Sequence, residues 1–432
     1  MYWNPSIERL SKKELEGIQE RKLRALVYYV YEYSPFYRQK FKQHGIHPWD
    51  ISGLKDLNKL PFTSKKDLRD NYPFGLFTVP LSQVVRFHAS SGTTGKPTVV
   101  GYTQRDIDVW VECLCRGLTS CGVTNEDIVQ VSYGYGLFTG GLGFHYAVER
   151  LGATVIPTSA GNTQRQIELM KDLHTTVIAC TPSYMLYMIE VARKMEVDIR
   201  EDTRLRMGIF GAEPWSEETR KRIEEKAGIE AYDVYGTSEL GGPLFTECQE
   251  KNGIHIWADH YLIEVVDPKT GEQVGEGEKG ELVVTTLTKE ALPLIRWRTG
   301  DITIMESEKC ACGRTHPRIM RILGRTDDMI IVRGVNVFPS QIEHVLMQVP
   351  EVGEHYLIIL ERKEGLDEMT VQVELSDKAK IERTADILEL ERRLEERLKE
   401  ILNVRAKIRV VNPGTLQRFE GKAKRVIDKR RI

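Results

Sequence analysis

The sequence predicts an α/β protein: a large N-terminal domain of layered sheets and helices that includes a β subdomain, followed by a small C-terminal α+β domain. Three textures of the chain predict it. Between residues 104 and 211, segments with apolar residues at three- and four-residue spacing alternate with short β-branched runs, the pattern of helices laid over a largely parallel sheet. Past residue 255, "HYLIEVVDPKTGEQVGEGEKGELVVTTL" alternates apolar and polar side chains between Gly/Asp turns, which reads as antiparallel strands. From "GRTDDMIIVRG" onward the order is strand, helix, two strands, a long charged helix over about 384–402 and a strand. At 432 residues the chain exceeds one ordinary core, so the expected division is 1–326, with the β subdomain at about 245–326, and 327–432.

The elements follow in order. Residues 6–44 carry helical spacing with Ser6 as the expected N-cap, and Tyr28, Tyr29, Tyr31, Tyr33, Phe36 and Tyr37 are expected to pack against the domain body. "KLPFTSKKDLRDNYPFGLF" predicts a turn and then a helix capped by Thr63 or Ser64. "VVRF" and "TVVGY" predict two strands joined by a tight turn. Next come a helix in "QRDIDVWVECLCRGLTSCG", a strand in "DIVQVSY", a helix in "GGLGFHYAVERLG" and a strand in "ATVIPTS". "TQRQIELMKDLH" with "TTVIACTP", and "PSYMLYMIEVARKM" with "LRMGIFG", repeat the alternation. In such sheets ligands collect beyond the carboxyl ends of the strands, where loops at 133–141, 211–215 and 235–242 are expected.

Composition excludes several classes of function. Hydrophobic residues at 41% and charged residues at 29% describe a soluble globular chain, and 61 basic against 63 acidic residues leave no global field for nucleic acid or an anionic membrane. No apolar run approaches the roughly 20 residues of a bilayer span, and "MYWNPSIERL" lacks a basic stretch leading into an apolar core, so a cytoplasmic location is expected. Seven scattered cysteines, 113, 115, 121, 180, 248, 310 and 312, argue for reduced thiols or metal ligands over a disulfide framework.

The chemistry centres on the turn between the two short strands. Ser90, Ser91, Gly92, Thr93, Thr94, Gly95 and Lys96 combine hydroxyls, glycines and one ammonium, with Pro97 closing the turn. Glycines let backbone N–H groups approach an anion, hydroxyls donate and the lysine supplies charge, so this is a phosphate-wrapping turn. Pro97 after the lysine sets it apart from a Walker motif, in which Ser or Thr follows the lysine and opens a helix.

"SSGTTGKP" resembles the signature of the adenylate-forming superfamily of acyl-CoA synthetases, luciferases and peptide-synthetase adenylation domains. "YGYGLFTGGLG", "GAEPW", "TLTKEALPLIRWRTGD" and "GRTDDMIIVRGVNVFPSQIE" resemble its phenylacetate–CoA ligases. The resemblance implies an enzyme that joins a carboxylic acid to coenzyme A with ATP and Mg2+, through an acyl-adenylate, releasing AMP and pyrophosphate. It also implies a homodimer, and phenylacetate as the acid, although hydroxylated, indolic and benzoic relatives fit the same physics. On the matching positions it places Gly211, Ala212 and Glu213 beside the purine, and Asp233, Tyr235, Gly236, Thr237 and Glu239 around the nucleotide. Tyr235 would stack on adenine, Thr237 would meet the α-phosphate, and Glu239 would ligate magnesium, a hard cation suited to carboxylate oxygen. Asp301 would accept both ribose hydroxyls and Arg325 would lie near ribose and phosphate. Lys422, with Lys424 as a nearby competitor, is the expected catalytic cation, Asp327 the expected hinge, and Arg333 with Gly334 the expected coenzyme A contacts after the small domain swings. The expected acid pocket is Tyr135, Phe138, Gly141, Gly242 and Pro243, flat aromatics beside small residues.

Local spacing adds one constellation. Cys310 and Cys312 in "CACG", with Cys248 and His255 in "CQEKNGIH", offer four ligands for a structural Zn2+, with His316 and His260 as substitutes for His255. Two other functions remain open on sequence: adenylation with a different acid or acceptor, such as a carrier protein or a cofactor, and nucleotide binding without turnover.

Overall fold

The structure, a computed structural model, describes residues 1–90, 97–333, 335–363, 366–376, 379 and 383–430. Its central sheet is built on the runs Ile128–Val131, Val177–Cys180, Met207–Gly211 and Glu230–Tyr235, which are almost wholly buried. A strand apolar on both faces suits the middle of a parallel sheet covered by helices. These strands pair in parallel in that order, with Thr154–Ile156 alongside Ile128–Val131 at the edge. The sheet then continues with antiparallel pairing through Phe245–Thr246, Ile254–His255, Arg318–Ile319, Trp297–Glu306, Lys279–Thr286 and Tyr261–Val266. Short Gly324–Arg325 pairs with Trp297–Glu306, completing twelve strands. The antiparallel strands therefore share one continuous sheet with the parallel ones, and this brings Asp301 to the ends of the parallel strands.

The strands Arg86–Ser90 and Thr98–Tyr102 pair antiparallel, from Arg86 opposite Tyr102 to Ser90 opposite Thr98. They bracket the expected phosphate turn.

The N-terminal helical stretch is divided differently from the sequence expectation. Pro5–Glu8 is a single turn, and the long helix Lys12–Tyr33 is capped by Ser11, not Ser6, in a reciprocal box with Glu14. Ser34 then ends that helix and caps the next, Pro35–Gln43, by accepting the Tyr37 N–H. Pro35 lacks the N–H a continuing helix needs and suits a first helical position instead. Tyr37 is fully buried as expected, but Tyr28 and Tyr33 lie on the outer face. Ser64 caps Lys65–Asp70, while Thr63 bridges to Trp297 through its backbone.

The C-terminal domain has its own apolar cluster, drawn from residues between Ile330 and Ile408. Four strands lie in the order Lys407–Val411, Leu366–Leu375, Val352–Lys363, Val426–Asp428. Leu390, Leu394, Leu398 and Leu402 form the buried stripe of the helix Thr384–Leu402. The strand Val426–Asp428, parallel to Val352–Lys363, was not expected. Its three residues sit within a basic tail that carries no strand pattern of its own. Among the described residues no helix is long and apolar enough to cross a membrane.

Candidate active site between the two domains

Strand Glu230–Tyr235 delivers the turn that follows it. The Thr237 carbonyl accepts the N–H groups of Leu240, Gly241 and Gly242, curling the chain so that Glu239 is buried, with its carboxylate 3.3 Å from Thr98 Oγ1. Among the described residues the buried Thr237 hydroxyl has no hydrogen-bond partner. A buried donor without a partner costs free energy, which a ligand or water atom placed there would recover. Lys289, which the sequence reading passed over, donates from Nζ to the Glu239 carbonyl at 2.6 Å and lies over the Tyr102 ring. Burial pushes its ammonium down to about 8.

Asp301 sits beneath this turn. Its carboxylate accepts the Tyr235 hydroxyl at 2.7 Å and pairs with Arg325. Tyr235 is buried and stacks on Phe245, with ring centroids 6.3 Å apart. Burial raises the Asp301 carboxyl above its ordinary value and the Arg325 guanidinium opposes that rise. Arg325 also donates from Nε to Asp327 at 2.8 Å, and Asp327 meets Lys65 at 3.2 Å, so the expected hinge residue is tied to the large domain. Asp233 is buried on the same strand as Tyr235, and burial pushes its carboxyl up to about 6. Gly236 lies tight against the Gly242 carbonyl, which a Cβ would meet at 1.7 Å. Of the phosphate turn, Ser91, Gly92, Thr93, Thr94, Gly95 and Lys96 lie outside the described residues, as does Gly334; Ser90 ends its strand.

The small domain docks on the helix Glu217–Ala227 and on the start of Pro182–Lys194. Glu343 accepts from the Ser216 N–H at 3.2 Å and the Thr219 hydroxyl at 2.7 Å, and Arg222 donates to the Met347 and Val349 carbonyls. Arg418 bridges Glu190 of the large domain and Glu374 of the small one at 2.9 and 2.8 Å. Between the domains lies a cavity of about 1100 Å³ lined by Glu213, Trp215, Arg325, Asp327, Lys422 and Lys424, among others. Both candidate lysines therefore reach the space that Arg325 and Asp327 border. Arg333 is elsewhere on the small domain, its guanidinium donating to the Asp367 carbonyl.

Residues 60–287 match the family model of AMP-binding enzymes, and residues 334–430 match that of the AMP-binding enzyme C-terminal domain. Phenylacetate–coenzyme A ligase of Thermus thermophilus is 48% identical over 100% of both chains. The Escherichia coli enzyme of the same name is 47% identical over 99% of this chain and 97% of its own. The chain belongs to the phenylacetate–CoA ligase family. Among solved structures, 2-hydroxyisobutyryl-CoA ligase in its postadenylation state with R3-HIB-AMP superposes with a TM-score of 0.93 at 31% identity, covering 100% of this chain and 93% of that one. The same ligase in its thioesterification state, with 2-HIB-AMP and CoA, gives 0.74 at 32% identity, covering 99% and 92%. The drop between two states of one ligase shows that the present arrangement of domains matches the former.

Of the residues expected to hold the acid, Gly242 and Pro243 pack against Trp110, which the sequence reading did not single out. Trp110 donates from Nε1 to the Pro243 carbonyl at 2.9 Å, and a Cβ on Gly242 would lie 2.6 Å from its ring. At Gly141 a Cβ would lie 2.7 Å from the Gly134 carbonyl and 2.8 Å from the Tyr135 ring. At both positions a side chain would collide with packed neighbours, so the backbone approaches those neighbours closely only because the residue is glycine. Tyr135 is held by His145, 3.3 Å from its hydroxyl, while Phe138 is exposed. Trp110 carries no signal in sequence because it occupies an ordinary buried helical position of Gln104–Cys121.

On another part of the sheet, Cys248, His255, Cys310 and Cys312 present ligand atoms within 4.8 Å of one another. The Cys248 and Cys310 sulfurs are 3.7 Å apart and Cys312 Sγ is 3.6 Å from His255 Nε2. Tetrahedral zinc with Zn–S of ~2.3 Å and Zn–N of ~2.0 Å spaces its ligands by about these amounts. Hydrogen bonding from Cys248 outweighs burial and, with His255, pulls the Cys312 thiol far down. The substitute histidines are engaged elsewhere: His316 accepts the Ala258 N–H and meets the Ile7 carbonyl, and His260 pairs with Thr288 and Asp259.

Proposed function

We propose that this chain ligates an aromatic carboxylic acid, phenylacetate first, to coenzyme A through an acyl-adenylate, with AMP and pyrophosphate as the other products. The observation that carries this reading is the meeting of Lys422 with Arg325, Asp327 and Glu213 around one interdomain cavity, on a chain whose named relatives are phenylacetate–CoA ligases. The acid carboxylate attacks the α-phosphorus of ATP and expels pyrophosphate. The Lys422 ammonium stabilises charge on the transferring group, and the unpartnered Thr237 hydroxyl donates to an α-phosphate oxygen. Asp301 takes the ribose hydroxyls while Tyr235 and Arg325 fix its carboxylate. Gly211, Ala212, Glu213, Asp233 and Gly236 form the walls of the nucleotide site, with Ser90 to Lys96 on the triphosphate.

Glu239 would hold Mg2+, its buried carboxylate facing the Thr98 hydroxyl, and the ion would offset charge on the polyphosphate. Coenzyme A then attacks the acyl carbon and AMP leaves. For that half the small domain, from a boundary at residues 326/327, turns about Asp327 and brings Arg333 and Gly334 to the reaction centre. The two TM-scores against one ligase support such a rotation. Tyr135, Phe138, Gly141, Gly242 and Pro243, with Trp110, would hold the acid. The four Cys/His ligands would hold a structural Zn2+ with no part in the chemistry. A cytoplasmic homodimer serving aromatic-acid catabolism completes the reading.

Incubating the pure protein with ATP, Mg2+, coenzyme A and phenylacetate is expected to yield AMP and phenylacetyl-CoA. Formation of ADP, or no turnover across a panel of aromatic acids, overturns it.

A further inference from the structure

The segment that carries Lys422 is held on the large domain by Thr181, Ser183 and Glu213; the first two have no part in the set above, and Glu213 is also a wall of the proposed nucleotide site. The Gly421 carbonyl accepts from the Thr181 hydroxyl at 3.2 Å and from the Ser183 hydroxyl at 3.3 Å. The Ala423 N–H donates to Glu213 Oε2 at 3.0 Å. These contacts fix the two peptide groups on either side of the Lys422 Cα, so its backbone is held while its side chain remains along the cavity. The clamp is itself anchored. Glu213 Oε1 accepts the Ser183 N–H at 2.9 Å, and the Thr181 oxygen caps the helix Pro182–Lys194 by accepting the Tyr184 N–H at 3.2 Å. Ala212, before Glu213, is in the left-handed region at φ 70°, a conformation L residues rarely adopt outside turns that require it. One residue earlier in the tail, Glu420 accepts from the Thr163 hydroxyl at 3.1 Å, so the docking continues upstream.

We propose that Thr181, Ser183 and Glu213 form a docking clamp that positions Lys422 for adenylation and releases it for thioester formation. This rests on the two-step reading given above. The physical case is that a long lysine contributes in the transition state only if its backbone is placed to within a fraction of an ångström, and a misplacement of about 1 Å costs on the order of 10²-fold. A domain that must leave again cannot be fixed by a large apolar interface, and hydrogen bonds to backbone groups let it dock in one register and exchange those bonds for water on release. The three are positioning residues, because none of their contacts described here is to a reacting atom.

The test separates the two half-reactions in Glu213→Gln, Thr181→Ala and Thr181→Ser. Adenylation is read as pyrophosphate release from ATP and acid, and the second half as thioester formed from synthetic acyl-adenylate and coenzyme A. Thr181→Ala is expected to slow adenylation by about 10- to 100-fold, with the second half within about twofold of wild type, and Glu213→Gln, which also alters the proposed nucleotide wall, is expected to slow adenylation at least as much. Thr181→Ser, which keeps the hydroxyl, is expected to recover most of the adenylation rate. Equal losses in both halves of Thr181→Ala, no loss of adenylation in Thr181→Ala or Glu213→Gln, or no recovery in Thr181→Ser overturns the clamp. Should Glu213→Gln fail to fold, the Thr181 pair decides alone. Lys422→Ala run alongside tells the two ideas apart: if it too adenylates at the wild-type rate, the assignment of the lysine falls and the clamp with it; if only the clamp variants are unaffected, the clamp alone falls.

Discussion

Two buried groups of polar side chains in this chain sit on one sheet and differ in where their partners come from. The Cys248, His255, Cys310 and Cys312 group closes on itself inside the large domain. Several of its neighbours are paired: Arg314 meets both Cys312 and buried Glu8, at 3.7 and 2.7 Å, and the Tyr2 hydroxyl donates to the Cys312 carbonyl. The Thr237, Glu239 and Asp301 group holds a buried hydroxyl without a partner among the described residues, and Asp301 pairs with Arg325, which borders the cavity that Lys422 of the small domain also lines. The difference teaches a way to tell the two apart. Each group keeps one buried atom without a partner among the described residues, His255 Nδ1 in the first and Thr237 Oγ1 in the second, so the separating feature is position: the first lies within the large domain, whereas Asp301 of the second pairs with Arg325 at the border of the interdomain cavity.

The contrast breaks most sharply at Lys422. Lys422→Ala is expected to slow pyrophosphate release by about 10²- to 10³-fold, with an unchanged thermal midpoint and retained thioester formation from synthetic acyl-adenylate. Equal loss of both halves would show that the lysine supports the fold. The reverse pattern is expected at the cysteines: Cys248→Ser with Cys310→Ser should abolish bound zinc by elemental analysis and lower the thermal midpoint by on the order of 10 °C, while kcat at 25 °C stays within about twofold. A large loss of kcat in a still-folded variant would refute the division. Asp301→Asn should raise KM for ATP by roughly tenfold, through loss of a charged acceptor, with little change in KM for coenzyme A.

The smallest effect is a pH signature of a buried ion pair within the large domain. Burial opposes ionisation of Asp259, but His260 and then Arg116, 2.8 Å away, hold its carboxyl down to about 2 from an ordinary 3.8. Its folded value lies below the unfolded one, so its stabilisation is present above about pH 4 and lost as pH falls toward 2. Thermal melts of Asp259→Asn should therefore lose less stability over that window than wild type. Parallel curves would remove Asp259 from the account.

The alternation of helices and β-branched strands was legible because burial on both strand faces writes a continuous apolar run, and the parallel pairing follows it. The Cys and His spacing was legible for a similar reason, since two of the ligands lie in each of two short stretches. The break at Ser34 was obscured by apolar spacing that runs straight across it, and Val426–Asp428 by the charges on either side.

The residue types at the proposed nucleotide site, and the order in which they occur, belong to the sequence alone, because loops at strand ends advertise themselves by Gly, Thr and Tyr beside one acid. What only the tertiary structure decided is which distant groups meet: Trp110 with Pro243, Lys289 with the Glu239 carbonyl, and Glu213 with a backbone N–H some two hundred residues away. Such contacts depend on sheet register and domain docking. Neither leaves a periodic trace in the chain, since a single side chain in an ordinary helix or turn looks the same whether or not something arrives to meet it.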